Sequence, residues 1–373
     1  MRHNTAVNQE KHRLDWQPMQ PDEEGVVADR RIMPRDELDR RKGVLVKTPQ
    51  AFDPALTDVR WQAMADETPF SLGVVTQSGR GMCSAMVNGE VVPCDLRGVL
   101  TAEGSGFSNI VAVGDRVLVN QHSADRGLVE RVLPRRSGLA RADSFLSHLR
   151  QILAANVDQV LIVSSWRNPQ IWLQMIDEYL IGATRNNLEF LICINKVDLA
   201  ESVAEVQTAV SAYKSLNYKL LFTSAEQGVG IEELQTILQG RTTVLAGLSG
   251  VGKSSLLNAV SPGFQLRVSN VMETRKSHEG RHTTTQAVML PLAFGGQVVD
   301  TPGIRDLGIT GLHPDDLIDH YPDVAMHMQR CRFHNCTHSH EPGCGVKTAV
   351  SNGDLAEWRL KNYVKLYNRL LEE

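Results

Sequence analysis

A glycine-rich segment, GLSGVGKSS, occupies residues 247–255 and matches the spacing of a phosphate-binding loop. Its glycines let backbone N–H groups turn toward phosphate oxygens, while Lys253 would reach the β and γ phosphates and the Ser254 hydroxyl would bind Mg²⁺. The apolar segment TTVLAG precedes the loop and the helix-like SSLLNAV follows it, as such a loop requires. The predicted nucleotide contacts of this loop are Gly247, Leu248, Ser249, Gly250, Val251, Gly252, Lys253, Ser254 and Ser255.

A second motif, DTPG at residues 300–303, ends another apolar segment, GQVVD. The carboxylate of Asp300 would hold Mg²⁺ through water, and the N–H of Gly303 would contact a γ-phosphate. Between the two motifs, SHEGRHTTTQAVML has the polar, glycine-containing composition of a nucleotide-sensing switch segment. We expect Thr284 to complete the Mg²⁺ shell, with Thr283 as the alternative.

A third motif, NKVDL at residues 195–199, indicates which base is bound. An aspartate carboxylate accepts two hydrogen bonds from guanine, whereas adenine offers no matching pair of donors. We therefore expect Asp198 to select guanine, Asn195 to tie this loop to the phosphate loop, and the stem of Lys196 to lie along the base. The later TSA segment would close over the base edge through Ser224 and Ala225.

The order of these motifs is unusual, because the base-reading segment precedes the phosphate loop by 52 positions. Either one match is accidental or the domain is circularly permuted. Permutation is tolerated when the original termini lie close together and the new cut falls in an exposed loop. Since each motif follows an apolar, strand-like segment, we favour permutation.

The elements that must position these motifs are apolar segments alternating with helix-like segments. This pattern predicts a doubly wound α/β domain over residues 148–313. Residues 68–141 show short alternating apolar stretches broken by glycine and Asn-Gly, which predicts an OB-type β-barrel followed by a basic linker, RRSGLAR. Residues 1–67 have balanced charge and few aromatics, so we expect a mobile extension with one short helix at most. Residues 314–373 predict a helical domain.

A cluster of cysteines and histidines interrupts this last segment. Cys331, Cys336 and Cys344 lie within fourteen positions, and His338 would supply a fourth ligand. Three thiolates and one imidazole close a tetrahedral shell, so we expect one structural Zn²⁺ ion. His334 and His340 are near enough in sequence to compete with His338.

Composition bounds the class of protein. The chain has 373 residues and a formal net charge of −4, which gives no global attraction to nucleic acid, so an RNA-binding surface must be local. It contains no apolar run long enough to span a bilayer and no secretory leader pattern, so we expect a cytoplasmic protein without a membrane partner. Nothing in the pattern indicates an obligate dimer, and a monomer is expected.

Taken together, these features resemble the RsgA family, also called YjeQ or YloQ, of circularly permuted GTPases. The resemblance covers roughly residues 70–373 and is densest in AANVDQVLIV, NKVDL, GLSGVGKSSLLNAV, GRHTTT, DTPG and CRFHNCTHSHEPGC. It implies a GTP hydrolase that binds GTP and GDP, contacts the 30S ribosomal subunit and its 16S rRNA, and assists late assembly. It also implies that the subunit stimulates hydrolysis, that hydrolysis precedes release, and that His338 is the zinc-binding histidine.

The chemistry of hydrolysis depends on the switch segment. Many GTPases place a glutamine after the glycine of the DxxG element, but this chain has Ile304, so we expect slow turnover without a partner. His282 is the best local residue to orient water, and the resemblance implies the same role. Lys253 and Thr284 complete the predicted catalytic set. The alternative is a nucleotide-gated RNA-binding or scaffold protein in which hydrolysis is incidental.

Overall fold

The computed structural model describes residues 46–47, 52–79, 81–101, 106–123, 125–143, 149–262, 287–300 and 309–372. All of them belong to one unit of the chain, residues 44–373. This unit contains a β-barrel, an α/β domain and a C-terminal helical domain, as the sequence predicted.

The strands follow the short apolar segments of the sequence. The amino-terminal strands are β1 (Val46–Lys47), β2 (Ser71–Ser78), β3 (Met82–Val87), β4 (Glu90–Leu96), β5 (Leu100–Thr101), β6 (Arg116–Ser123), β7 (Arg126–Val132), β8 (Gly138–Ala142) and β9 (Arg150–Ala155). The remaining strands are β10 (Gln159–Ser165), β11 (Glu189–Asn195), β12 (Leu220–Phe222), β13 (Thr242–Ala246), β14 (Val288–Pro291) and β15 (Gln297–Asp300).

The helices fill the segments between these strands and most of the carboxyl-terminal part. They are α1 (Asp58–Asp66), α2 (Leu173–Arg185), α3 (Val203–Ala209), α4 (Ser211–Ser215), α5 (Ile231–Leu238), α6 (Lys253–Val260), α7 (Pro322–Met328), α8 (Gly345–Asn352) and α9 (Glu357–Glu372). Two 3₁₀ helices span Val197–Leu199 and Pro314–His320. Over the ranges that the structure describes, no helix combines the length and the apolarity needed to cross a bilayer.

The barrel is formed by five strands in the order β2-β3-β4-β7-β6, and pairing of β6 with β2 closes it. Its interior is lined by alternate apolar side chains, including fully buried Val75, Ala85 and Val129. Asn88 and Gly89 both have positive φ and join β3 to β4, as expected of an Asn-Gly hairpin turn. This closed, five-stranded barrel is OB-like and confirms the sequence interpretation.

Two segments beside the barrel are more ordered than their composition suggested. Trp61 of α1 is fully buried and donates its indole N–H to the carbonyl of Pro134 at 2.9 Å. The expected mobile extension therefore contains a packed helix at its carboxyl end. In the expected basic linker, Arg135 is buried and donates two hydrogen bonds to Asp115, at 2.7 and 2.8 Å. This linker therefore begins as part of the barrel.

The α/β domain has the strand order β12-β11-β10-β13-β15-β14. Neighbouring strands from β12 to β15 are parallel, whereas β14 is antiparallel to β15. All seven residues of β10 are buried, because its near-continuous apolar sequence lies at the centre of a sheet covered on both faces. This domain is the doubly wound fold that the alternating segments predicted.

Candidate functional site

The predicted nucleotide motifs meet at one edge of the α/β sheet. Asn195 ends β11 and pairs in register with Ser165, which ends β10. Asp300 ends β15 and lies opposite Leu245 of β13, two residues before Gly247. Carboxyl ends of parallel strands form the usual ligand-binding edge of an α/β sheet. The motifs therefore lie at the same edge of the sheet although their order along the chain is unusual.

The phosphate-loop segment follows β13 and leads into α6. Gly247 has a φ of +145°, and a Cβ atom there would overlap the carbonyl oxygen of Val163. Gly252 has a φ of +95°, and a Cβ atom there would overlap the Nδ2 atom of Asn195. Both positions require glycine because the backbone is left-handed and tightly packed. The loop is thus shaped by the neighbouring β10 strand and by the base-reading motif.

Asn195 connects three loops of the site and is 1% exposed. Its Nδ2 donates to the carbonyl of Val251 at 3.0 Å. Its Oδ1 accepts from the Thr223 hydroxyl at 3.1 Å and from the Ala225 N–H at 3.4 Å. One buried amide therefore joins the phosphate loop, the NKVDL segment and the TSA segment.

Two lysines of the site contact the backbone of the phosphate loop. Lys196 has a left-handed backbone, and its Nζ donates to the carbonyl of Gly250 at 2.7 Å and to the carbonyl of Asn168. Lys253, at the start of α6, donates to the carbonyls of Gly247 and Leu248 at 2.7 and 2.9 Å. Both ammonium groups therefore lie directly over the phosphate-loop backbone.

The other residues predicted to contact the base differ in how far they are buried. Asp198 lies in the 3₁₀ helix after β11 and is half-buried. Ser224 is fully buried, and its N–H donates to Val229 at 3.0 Å, so it supports the loop from inside. Ala225 is half-buried at the loop surface. His282, Thr283, Thr284 and Gly303 lie outside the described residues.

The cysteine cluster forms a second candidate site in the C-terminal domain. The ligand atoms of Cys331, Cys336, His338 and Cys344 all lie within 4.8 Å of one another. Cys331 Sγ is 3.9 Å from Cys344 Sγ and 3.6 Å from His338 Nδ1, and His338 Nδ1 is 3.4 Å from Cys344 Sγ. Zn–S and Zn–N bonds of about 2.3 and 2.0 Å in a tetrahedron give roughly 3.8 Å between sulfurs and 3.5 Å between sulfur and nitrogen. The four side chains fit one Zn²⁺ ion.

Backbone groups support this arrangement. The Sγ of Cys331 accepts from the Gly345 N–H at 3.3 Å, and the Sγ of Cys344 accepts from the Lys347 N–H at 3.5 Å. Glu341 accepts from the N–H and the hydroxyl of Thr337 at 2.8 and 2.7 Å, which fixes the turn around His338. Burial raises the pKa of the Cys336 thiol to about 12. His334 and His340 are exposed and outside the cluster.

Comparison with known proteins gives consistent matches. Residues 132–310 match the RsgA GTPase family model. The small ribosomal subunit biogenesis GTPase RsgA of Thermotoga maritima is 42% identical over 285 residues, which are 76% of this chain and 90% of that protein. The RsgA protein of Chlorobaculum tepidum is 35% identical and covers 80% of this chain and 98% of its own length.

This chain belongs to the RsgA GTPase family. As a member of that family, it is a GTP-hydrolysing enzyme and binds guanine nucleotide.

Solved structures agree with the RsgA assignment. The crystal structure of YjeQ from Thermotoga maritima matches with a TM-score of 0.62 and 37% identity, over 81% of this chain and 99% of that one. YloQ, described as a circularly permuted GTPase, matches with a TM-score of 0.57 and 27% identity, over 81% of this chain and 96% of its own. The motif order in the sequence is therefore a circular permutation, and neither motif match is accidental.

A buried ion pair that the sequence did not predict connects the RsgA GTPase domain to the C-terminal domain. Asp177 of α2 is buried and accepts from Arg359 of α9 at 2.5 Å and from Asn362 at 2.7 Å. The Tyr213 hydroxyl is also 2.7 Å from Asp177. Arg359 donates two further hydrogen bonds to Asp323, at 2.6 and 2.8 Å. Burial raises the pKa of Asp177 and the Arg359 charge opposes that shift.

Proposed function

We propose that this GTPase binds the 30S ribosomal subunit through its 16S rRNA and assists late steps of its assembly in the cytoplasm. The subunit stimulates GTP hydrolysis, and hydrolysis is coupled to release of the protein. The names of the RsgA relatives support a role on the small subunit. The observation that carries the nucleotide-binding part of this function is the Asn195 amide, which joins the phosphate loop to the base-reading loop in a permuted domain.

Guanine recognition is assigned to the loop that follows β11. The Asp198 carboxylate accepts from the guanine N1–H and exocyclic amine, and the left-handed Lys196 holds this loop against Gly250. Ala225 faces the base edge from the neighbouring loop, while Ser224 supports it from the core. The choice of base would then depend on two loops that are held in place by hydrogen bonds to the Asn195 amide.

Phosphate recognition is assigned to the loop that precedes α6. In the proposed complex, the Lys253 ammonium leaves the carbonyls that it contacts here and pairs with the β and γ phosphates. The Ser254 hydroxyl would hold Mg²⁺, which when bound offsets phosphate charge during transfer. Asp300, at the adjacent strand end, would hold the same ion through water. Thr284 would complete the Mg²⁺ shell, and the N–H of Gly303 would contact the γ-phosphate.

Hydrolysis is assigned to a water oriented by His282 of the GRHTTT segment. Ile304, and not a glutamine, follows the glycine of DTPG, and its side chain offers no hydrogen-bonding group. The isolated protein would therefore hydrolyse GTP slowly. Contact with the subunit would place His282 beside the γ-phosphate and thereby stimulate hydrolysis.

The C-terminal domain is proposed to present a surface for RNA. One Zn²⁺ ion, held by the three cysteines and His338, would fix the loop between the ligands. On this loop Arg332 and Phe333 are exposed, and the guanidinium of Arg332 lies 5.6 Å from the Phe333 ring centroid. Stacked aromatic and guanidinium groups suit unpaired RNA bases. This surface supplies the local contact that the net charge of −4 does not.

Nucleotide-dependent sedimentation with purified 30S subunits tests the coupling. The full-length protein is mixed with subunits in the presence of GDP or a non-hydrolysable GTP analogue, and the bound fraction is measured after centrifugation. We expect stronger binding with the analogue, and the Asp198→Asn variant should lose the difference. Equal binding in both nucleotide states would contradict hydrolysis-coupled release.

A further inference from the structure

Two thiols face each other inside the barrel, away from the nucleotide and zinc sites. Cys83 of β3 and Cys94 of β4 are direct partners in the antiparallel register, so both side chains lie on the same face of the sheet. Each is 2% exposed. Directly opposed residues have Cα atoms roughly 4.5–5.5 Å apart, within the range of about 4.4–6.8 Å found in disulfides.

The neighbouring strand makes room for this pair. Gly127 of β7 is the partner of Cys94 on its other side. A Cβ atom at Gly127 would lie 3.0 Å from the Cys94 Sγ and 2.7 Å from a methyl carbon of Val119. The space beside Cys94 is therefore filled by its own sulfur, and a larger residue at Gly127 would displace it.

The two thiols also differ in acidity. The neighbouring Cys94 thiol, together with burial, raises the pKa of the Cys83 thiol. The Cys83 thiol in turn lowers the pKa of Cys94, whose Sγ also lies 3.4 Å from the carbonyl oxygen of Val92. Since the thiolate is the nucleophile in disulfide exchange, Cys94 is the thiol that attacks first.

We propose that Cys83 and Cys94 form a dithiol site that small disulfides, such as glutathione disulfide, oxidise to an intramolecular disulfide. The Cys94 thiolate attacks one sulfur of the small disulfide, forms a mixed disulfide and releases one small thiol. The Cys83 thiolate then attacks the Cys94 sulfur and releases the second small thiol. The protein gives up two protons and two electrons, and the two released thiols carry them.

The product ties β3 to β4 within the closed barrel. Opposed Cβ atoms in a sheet are roughly 4.5–5.5 Å apart, and disulfides hold them about 3.5–4.5 Å apart, so the strands must converge by up to about 1 Å. Both thiols are buried, so the reaction requires local opening of the barrel, and it should be slow but reversible by a small thiol reductant.

The chain offers a convenient assay and an internal control. Trypsin releases residues 81–97 as one peptide that contains both cysteines, and residues 186–196 as another that contains Cys193 alone. Cys193 is fully buried, its partner is the Thr223 hydroxyl at 3.3 Å, and burial raises its pKa to about 12. It therefore controls for burial without a facing thiol.

Native, zinc-loaded protein is incubated with glutathione disulfide, denatured, alkylated with iodoacetamide and analysed by mass spectrometry. We expect peptide 81–97 to lose both alkylation sites and two hydrogens, with peptide 186–196 fully alkylated. Reduction before alkylation should restore both sites. Peptide 81–97 carrying two alkyl groups, or a persistent glutathione adduct, would overturn the proposal.

Variants test the order of attack. Cys83→Ser should accumulate glutathione on Cys94, because no second thiol resolves the mixed disulfide. Cys94→Ser should leave Cys83 unmodified over the same time. Equal modification of the two variants would refute the assigned roles of attacking and resolving thiol.

Discussion

Replacing Asn195 with alanine perturbs the contact on which the nucleotide site depends. The side chain makes hydrogen bonds of 3.0 Å to Val251 and 3.1 Å to Thr223, and a weaker one of 3.4 Å to Ala225. A buried hydrogen bond contributes about 0.5–1.5 kcal/mol, so the two shorter ones together contribute roughly 1–3 kcal/mol. At about 1.4 kcal/mol for each tenfold change, GDP should bind roughly 5- to 140-fold more weakly to the Asn195→Ala variant.

The assay is titration of purified protein with a fluorescent guanine nucleotide. Asn352→Ala, an equivalent truncation at an exposed position of α8, is the matched control and should bind like the parent protein. Thermal unfolding without nucleotide shows whether each variant is folded at the assay temperature. A folded Asn195→Ala protein with unchanged GDP affinity would refute the conclusion that this amide positions the two loops.

Four further results are expected. Asp198→Asn should weaken GDP binding by at least about tenfold, since each hydrogen bond to a charged group contributes roughly 1.5–3 kcal/mol; unchanged affinity would contradict guanine selection by this residue. Arg359→Met should lower the free energy of unfolding by about 3–5 kcal/mol because it leaves buried carboxylates unpaired. Lys361→Met, at an exposed ion pair with Glu357 on the same helix, should cost about 1 kcal/mol or less. Equal losses in denaturant titrations would contradict a role of the buried ion pair in stability. Burial lowers the pKa of His320 below its unfolded value of about 6.5, so the unfolded chain binds more protons near that pH. The free energy of unfolding should therefore decrease as the pH drops below that value. His320→Gln should remove this component, and an unchanged pH profile of the variant would show that His320 is not its source. Metal analysis should find one zinc per chain and none in Cys336→Ser, and chelation should increase hydrogen exchange in α8 and α9; retention of zinc by the variant would contradict the ligand assignment.

Motif spacing and strand patterning predicted the fold because both arise from local sequence. Apolar continuity in β10 and the Asn88-Gly89 turn report directly on burial and on backbone conformation. The same holds for the phosphate loop, where Gly247 and Gly252 have positive φ. The expected hydrogen bond from Asn195 to the phosphate loop is present because β11 and β13, which carry the two motifs, are parallel and are separated only by β10.

Long-range polar contacts were not predictable in the same way. Arg359 and Asp177 are 182 positions apart, and each is an ordinary helix residue in sequence. Their pairing depends on how α9 packs against α2, which periodicity does not encode. Composition likewise suggested mobility before residue 67 but could not show that Trp61 packs against the barrel.

The buried ion pair between the two domains constrains how nucleotide state could affect the proposed RNA-binding surface. The DTPG motif leads along the chain toward the C-terminal domain, whereas Asp177 and Arg359 fasten that domain to α2 of the GTPase domain. A movement of the C-terminal domain relative to α2 would have to break a buried ion pair. We therefore expect the C-terminal domain and α2 to move together.

Measurement of GTP hydrolysis by the purified protein, with and without 30S subunits and alongside His282→Ala, would decide whether the subunit activates this GTPase. We expect slow release of phosphate by the protein alone, strong stimulation by subunits, and loss of that stimulation in the variant. Absence of stimulation by active 30S subunits would contradict a subunit-activated GTPase and favour a scaffold protein in which hydrolysis is incidental.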